Sequence, residues 1–242
     1  MITEREIAEK FSVIWKQHFP LLTPTFMRVF NEAHIFNINA PIPIKENVRN
    51  DIVSEISFNI VEKVIIEESY IEDYIENEIK LKKIVEFTAK SIWKSGNFSE
   101  KDFLLNEIEI TEIKRICQNL IEFIQKIKKK QVKFKPTFTG YGFIPDLVGD
   151  LSIDDTLFEI KTVNRNFRSS DLKQLLLYLA LQQVSSGLNW KYAGLYNPRK
   201  GTYCKFNIKN LIYDLAGGKT PNESFENLLD SLTRDVQIDS KF

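Results

Sequence analysis

Only two cysteines, Cys117 and Cys204, occur in the 242 residues, far apart and outside any C-x-x-C pair. That excludes a disulfide framework, a cysteine-rich zinc site and a four-cysteine iron–sulfur cluster, and it predicts two reduced, buried thiols. Long apolar runs are missing as well. No uncharged stretch reaches the ~18 residues needed to cross a bilayer. The opening Met1 to Lys10 carries acids where a secretory leader has a basic and then an apolar segment. These absences predict a soluble, cytoplasmic chain with no membrane partner. Net charge is also lacking, with 33 basic against 33 acidic side chains. What is present is a core: 43% of residues are hydrophobic and 12% aromatic, which excludes disorder and allows one large domain or a small pair.

The zero total hides a segregated charge. Residues 51–112 carry 7 basic and 15 acidic side chains, whereas residues 113–145 carry 8 and 1. The basic block centres on Lys126, Lys128, Lys129, Lys130, Lys133 and Lys135. Such a block neutralises phosphates in a salt-dependent way, and it serves equally well as a solvated helix end that complements the macrodipole.

Apolar spacing predicts helices over most of the first half: a Thr3-capped run through Trp15 that stops before Pro20, then Pro24 to His34. Asn37 to Glu46, with Pro41 and Pro43, reads as a connector. Val48 to about Lys94 reads as two helices broken near Ser69, ended by Gly96 and Asn97. A further helix is expected from Glu107 to Lys129, after which the period changes from helical to alternating. Strands are then expected at Val132 to Phe138, Phe143 to Asp150 and Thr156 to Val163. A helix over Asp171 to Val184, strands at Tyr192 to Tyr196 and Thr202 to Phe206, a helix from Asn207 to the Gly217–Gly218 pair, and a last helix at Asn222 to Leu232 follow.

Chemistry concentrates in Pro145, Asp146, Glu159 and Lys161, which read P-D-x12-E-I-K. In a hairpin of the two strands, Glu159 and Lys161 share a face while Phe158 and Ile160 point into the core. A two-residue turn at Ser152 and Ile153 sets Asp146 opposite Glu159, and a four-residue turn sets it opposite Lys161. Loops of three or five residues separate them. Carboxylates opposed at ~4.5 to 5.5 Å between Cβ atoms repel unless a cation lies between them. Mg2+ suits a sparse oxygen-only set completed by water and substrate phosphate, and an adjacent ammonium orients or helps deprotonate the attacking water. The alternative is an ordinary cross-strand ion pair on a solvent face. The following helix is apolar nearly all round except for Asp171, Gln174, Tyr178 and Gln182, which form one polar stripe.

P-D-x12-E-I-K followed by D-L-K-Q-L-L-L-Y resembles the PD-(D/E)xK nuclease superfamily, and Gln174 to Tyr178 is similar to the Q-x-x-x-Y element of its RecB-like branch. The resemblance spans about residues 107–210. It implies an α/β (α+β) restriction-endonuclease-like core, a mixed sheet flanked by helices. Three antiparallel strands, a crossover helix and a further strand build that core, and an α-helical N-terminal region precedes it. On this reading residues 1–106 form the N-terminal region, 107–217 the nuclease core, and 218–242 a C-terminal helix and tail.

The resemblance further implies that Asp146 and Glu159 ligate Mg2+ or Mn2+ with the backbone carbonyl of Ile160. Lys161 would position the water, and Gln174 and Tyr178 would order the site and the DNA strand. RecB-like members often carry a histidine ligand before the first strand. Here His18 and His34 lie far upstream; Glu122 is the candidate acidic substitute, and it reads equally well as a surface glutamate. Lys128, Lys129, Lys130, Arg165, Arg168, Arg199 and Lys200 are the candidate contacts to nucleic acid. The expected function is a metal-dependent deoxyribonuclease in a defence, restriction or repair system, with a helicase or ATPase partner and two-fold pairing for double-strand cutting. An RNA nuclease and a non-catalytic binding subunit are the alternatives.

Overall fold

Residues 2–92 and 103–239 are described by the structure, a computed structural model. The first helix starts where Thr3 and Glu6 exchange hydrogen bonds in a capping box. The run to His18 is not continuous: α1 (Glu4–Lys10) and α2 (Ser12–His18) meet at Phe11. Thr23 caps α3 (Pro24–Ala33), and a two-residue strand, β1 (Phe36–Asn37), opens the connector. The stretch expected as two helices holds three, α4 (Asn50–Ile66), α5 (Glu72–Ile75) and α6 (Glu78–Ile92). Its expected end at Gly96 and Asn97 lies outside the described residues. A second capping box, Asn106 with Glu109, starts α7 (Glu107–Ile127), and the same Glu109 carboxylate accepts from the Arg49 guanidinium at 2.8 Å. One acid thus fixes the starts of α4 and α7 together.

The expected strand at Val132 to Phe138 is two, β2 (Val132–Phe134) and β3 (Thr137–Phe138). Lys135 sits at φ 50° and Pro136 has no N–H to give, so the ladder cannot continue through them. The segment Phe143 to Asp150 shortens to β4 (Leu147–Val148), which pairs with β3. The hairpin partner of β6 (Thr156–Ile160) is instead β5 (Leu151–Ile153), joined through a two-residue Asp154–Asp155 turn with Asp154 at φ 51°. The Asp154 carboxylate also accepts from the backbone N–H groups of Lys129, Lys130 and Gln131, locking the end of α7 to this turn. The register expected from a turn at Ser152 is therefore corrected: Leu151 pairs with Phe158.

The crossover helix α8 (Ser169–Ser186) leads to β7 (Tyr192–Asn197), which runs parallel to β6, and β8 (Thr202–Asn207) returns antiparallel. Helices α9 (Ile208–Leu215) and α10 (Pro221–Asp239) follow. The six-stranded mixed sheet has the order β1-β8-β7-β6-β5-β2 and helices cover both of its faces, as expected for an α/β protein of this element order.

Period-two alternation splits the core in two. Leu157, Ala193, Leu195 and Cys204 face a layer built from α1, α2, α3, α8, α9 and α10. Leu151, Ile153, Phe158 and Tyr196 face α4, α6 and α7. The N-terminal helices therefore contribute to both layers.

At the sheet centre Gly194 leaves no room: a Cβ there would lie 2.2 Å from the Cys204 carbonyl oxygen and 2.6 Å from the Phe158 ring. Gly194→Ala is expected to cost about 2–3 kcal/mol, read as a lowered denaturation midpoint in urea with an unchanged slope.

Candidate active site

The two-residue turn sets the register that builds the site. One step beyond the Leu151–Phe158 pair, Asp150 comes opposite Glu159, on the sheet face that α8 covers. The Ile160 N–H donates to Asp150 Oδ2 at 2.7 Å and fixes that carboxylate against the strand. Lys161 Nζ donates to Glu159 Oε1 at 2.8 Å and to Gln174 Oε1 at 2.6 Å, and Gln174 Nε2 donates to the Tyr178 hydroxyl at 2.9 Å. Phe138 stacks on the Tyr178 ring with centroids 4.9 Å apart, holding that end of the chain of bonds. Four of the five side chains expected to carry the chemistry, Glu159, Lys161, Gln174 and Tyr178, are thus joined in one hydrogen-bonded run. Gln174 is buried on α8, where it is one of few polar groups, and both of its amide atoms are used.

Asp146 is not part of that run. It is exposed, and its Oδ1 accepts from the Gly140 N–H at 2.7 Å, tying a tight loop in which a Cβ on Gly140 would lie 2.3 Å from the Ile144 carbonyl oxygen. Its place opposite Glu159 is taken by Asp150, because the turn falls at Asp154–Asp155. Glu122 is likewise elsewhere. It is exposed on α7 and engaged by Asn39 Nδ2 at 2.9 Å and Lys126 Nζ at 3.3 Å. A different acid bears on the carboxyl pair, Glu55 of α4. Although its side chain is open to solvent, the surrounding protein raises its carboxyl; Lys135 opposes that shift, and Glu62 and Glu159 add to it.

Electrostatics make the carboxyl pair a demanding site. Burial, followed by the charge of Asp150, pushes Glu159 up to about 8 in spite of Lys161. Asp150 is raised too, by burial first, with Lys161 and the Ile160 N–H opposing. Burial alone would lower Lys161, but Glu159 and Asp150 outweigh it, so the ammonium stays charged. Tyr178 is pushed upward by burial and by the same two acids, which leaves its hydroxyl neutral. Glu159 Oε2 is buried and accepts no hydrogen bond among the described residues, and when one of the two acids is protonated the Glu159 and Asp150 carboxyls share a hydrogen bond. A hard cation can take the place of that shared proton, since it takes one or two carboxylates and completes its shell with water and phosphate oxygens. The backbone carbonyl of Ile160 belongs to the residue between Glu159 and Lys161. No group of three or more His, Cys, Asp or Glu side chains fit to hold a metal occurs among the described residues.

A pH dependence follows. In the unfolded chain the Glu159 carboxyl titrates near 4.5, and in the folded chain near 8. Between these values the unfolded chain has released a proton that the native state keeps, so its contribution to stability is complete below about 4.5 and is lost as pH rises toward 8. The metal-free protein is expected to melt at steadily lower temperature across that window. Glu159→Gln should flatten the profile by on the order of 2 kcal/mol, checked by scanning calorimetry at several pH values.

The candidate basic contacts divide. Lys128, Lys129 and Lys130 are exposed, but they flank the Asp154–Asp155 turn, four residues along β5 and hence roughly 13 Å from Asp150. Arg165 forks onto Asp171 at 2.6 and 2.9 Å and holds the start of α8, where Arg168 is exposed. Lys200 Nζ bonds Asn166 Oδ1. Arg199 corrects the expectation outright. Only 2% exposed, it pairs with the equally buried Glu112 at 2.7 Å and has no route to a nucleic acid.

Two functional candidates escaped sequence reasoning. Asp150 was legible in principle, since Asp154–Asp155 is as good a two-residue turn as Ser152–Ile153 and polar at both positions. Glu55 carries no local signal, because only the packing of α4 against the sheet brings it near. The chain matches no protein-family model, and no curated protein matches it at a significant level. Among the described residues no helix is long and apolar enough to cross a membrane.

Proposed function

We propose that this protein is a metal-dependent nuclease that hydrolyses phosphodiester bonds of DNA, with its site at Asp150, Glu159 and Lys161. The observation that carries this reading is the buried Glu159 carboxyl set across from the half-buried Asp150, beside an ammonium held in place by Glu159 and Gln174. Asp150, Glu159 and the Ile160 carbonyl would hold Mg2+ or Mn2+, which when bound would lower the pKa of a coordinated water and neutralise phosphate charge. Lys161, kept protonated by its two acidic neighbours, acts as a donor: it orients the attacking water and offsets the negative charge that grows on the phosphate. A charged Lys161 is not a base, so deprotonation of the water falls to another group. Gln174 fixes the Lys161 Nζ from one side while Tyr178 and Phe138 fix Gln174, so the ammonium is set before substrate arrives.

The test is incubation of circular and linear DNA, single-stranded and duplex, and of RNA, with Mg2+, Mn2+ or EDTA. Cutting that needs the metal and disappears in Lys161→Ala supports the reading, and the circular substrates report whether internal bonds are attacked. Cutting that survives EDTA or Lys161→Ala overturns it. Divalent metal should also raise the melting temperature at pH 8 more than at pH 5, because it replaces the proton on the carboxyl pair, and Glu159→Gln should remove that difference.

A further inference from the structure

A cavity of about 350 Å3 opens between α2, the chain entering α3, and α8. Pro20 and Leu22 give it apolar walls, the exposed Lys16 and the half-buried Lys173 are the charged residues of its lining, and Thr23 adds a hydroxyl. Every charged side chain among the described residues that line it is positive. The Thr23 Oγ1 accepts from the Phe26 N–H as the cap of α3, which leaves its own O–H to donate and aims the positive end of a ten-residue helix at the same space.

Lys173 is the telling group. It is half-buried, its Nζ stands 5.8 Å from the centroid of the Trp15 ring, and no described carboxylate pairs with it or with Lys16. An ammonium drawn out of water without a counter-charge is costly, and a ring face offsets only part of that cost. Burial accordingly lowers the Lys173 ammonium with no acid to oppose it. A cavity with two uncompensated cations, a hydroxyl donor and apolar walls has the chemistry of a phosphate carried on a partly apolar molecule.

We propose that this cavity binds the phosphate of a nucleotide. Lys173 immediately precedes Gln174, and their side chains diverge by about 100° on the helix, so the cavity and the Lys161 site flank one turn of α8. Taken with the nuclease reading, on which only the source of the nucleotide rests, this is the seat of a terminal phosphate on the strand being processed. A free mononucleotide offers the same chemistry.

The test uses the full chain in EDTA, so that metal at the carboxyl pair plays no part. Calorimetric titration compares dAMP with deoxyadenosine and with inorganic phosphate, and fluorescence anisotropy compares a labelled single strand bearing a 5′-phosphate with one ending in a 5′-hydroxyl. Binding of dAMP at least about tenfold tighter than deoxyadenosine is expected, weakened about tenfold by Lys173→Met and by Lys16→Gln and left unchanged by Lys161→Ala. Lys173→Met keeps the stem against Trp15, and Lys16→Gln lies at the surface, so a fold defect in one is checked by the other. Preference for the phosphorylated strand assigns the site to a strand end, and preference confined to dAMP assigns it to free nucleotide. Equal affinity with and without phosphate overturns the proposal, as does binding that is lost in Lys161→Ala but kept in Lys173→Met. Phosphate binding that persists in a chain with no cleavage activity leaves this site standing and sinks the nuclease reading alone.

Discussion

Asp150→Ala should lower metal-dependent cleavage by about a thousandfold or more, whereas Asp146→Ala should leave it within about threefold of the parent. The contrast comes from one turn. With Asp154 and Asp155 at the tip of the hairpin, Asp150 stands across from Glu159, and its Oδ2 is fixed by the Ile160 N–H. Asp146 instead secures the Gly140 loop from outside the sheet, so its loss should show as a small change in stability, about 1 kcal/mol for one hydrogen bond. Asp150→Asn is the cleaner probe, since it keeps shape and removes charge. It should abolish cleavage while allowing Glu159 to ionise at lower pH, because the like charge that raises it is gone. Initial rates of plasmid relaxation at fixed Mg2+, with calorimetry on each variant, separate the two residues. Equal losses at Asp146 and Asp150 would sink the assignment.

The largest expected loss of stability belongs to a residue that sequence alone places on the surface. Arg199→Ala should destabilise the protein by about 3–5 kcal/mol, because it leaves the Glu112 carboxylate buried and unpaired. Spread over a chain of this size, that is a fall of roughly 10 °C in melting temperature. The pair joins α7 to the β7–β8 turn, whose Gly201 is at φ 64° and packs against the Asn39 backbone. Glu112→Ala should cost about the same, and the double replacement Glu112→Leu with Arg199→Met should recover most of the loss. DNA affinity measured on the folded fraction should not change with Arg199. A drop in affinity without a drop in melting temperature would restore Arg199 to the surface.

Element types were legible where periodicity was strong, and positions were not where two turns competed. α3, α7, α8, β7 and β8 fall close to their expected spans because an apolar stripe or an alternation ends at a cap, a glycine or a turn. The hairpin slipped because Ser152–Ile153 and Asp154–Asp155 both permit a two-residue turn. Only the Asp154 carboxylate, which collects three backbone donors from the end of α7, decides between them. Glu159, Lys161, Gln174 and Tyr178 could be grouped in advance because all lie within one strand and one helix of fixed period. Asp150 depended on register, Glu55 on packing between distant segments, and Arg199 on a buried partner 87 positions earlier, none of which a local pattern encodes.

The layer that covers α8 is assembled from both ends of the chain. Phe19 packs on Phe225, His18 bonds Ser231, and Trp15, Met27 and Phe30 share their cluster with residues of α8, α9 and α10. During synthesis the first three helices leave the ribosome long before those partners exist. At roughly 5–20 residues per second, the wait is about 10–40 s with several large apolar side chains uncovered. Newly made chains are therefore expected to lean on chaperones early, and loss of the last helix should leave the N-terminal segment insoluble rather than merely trimming the molecule.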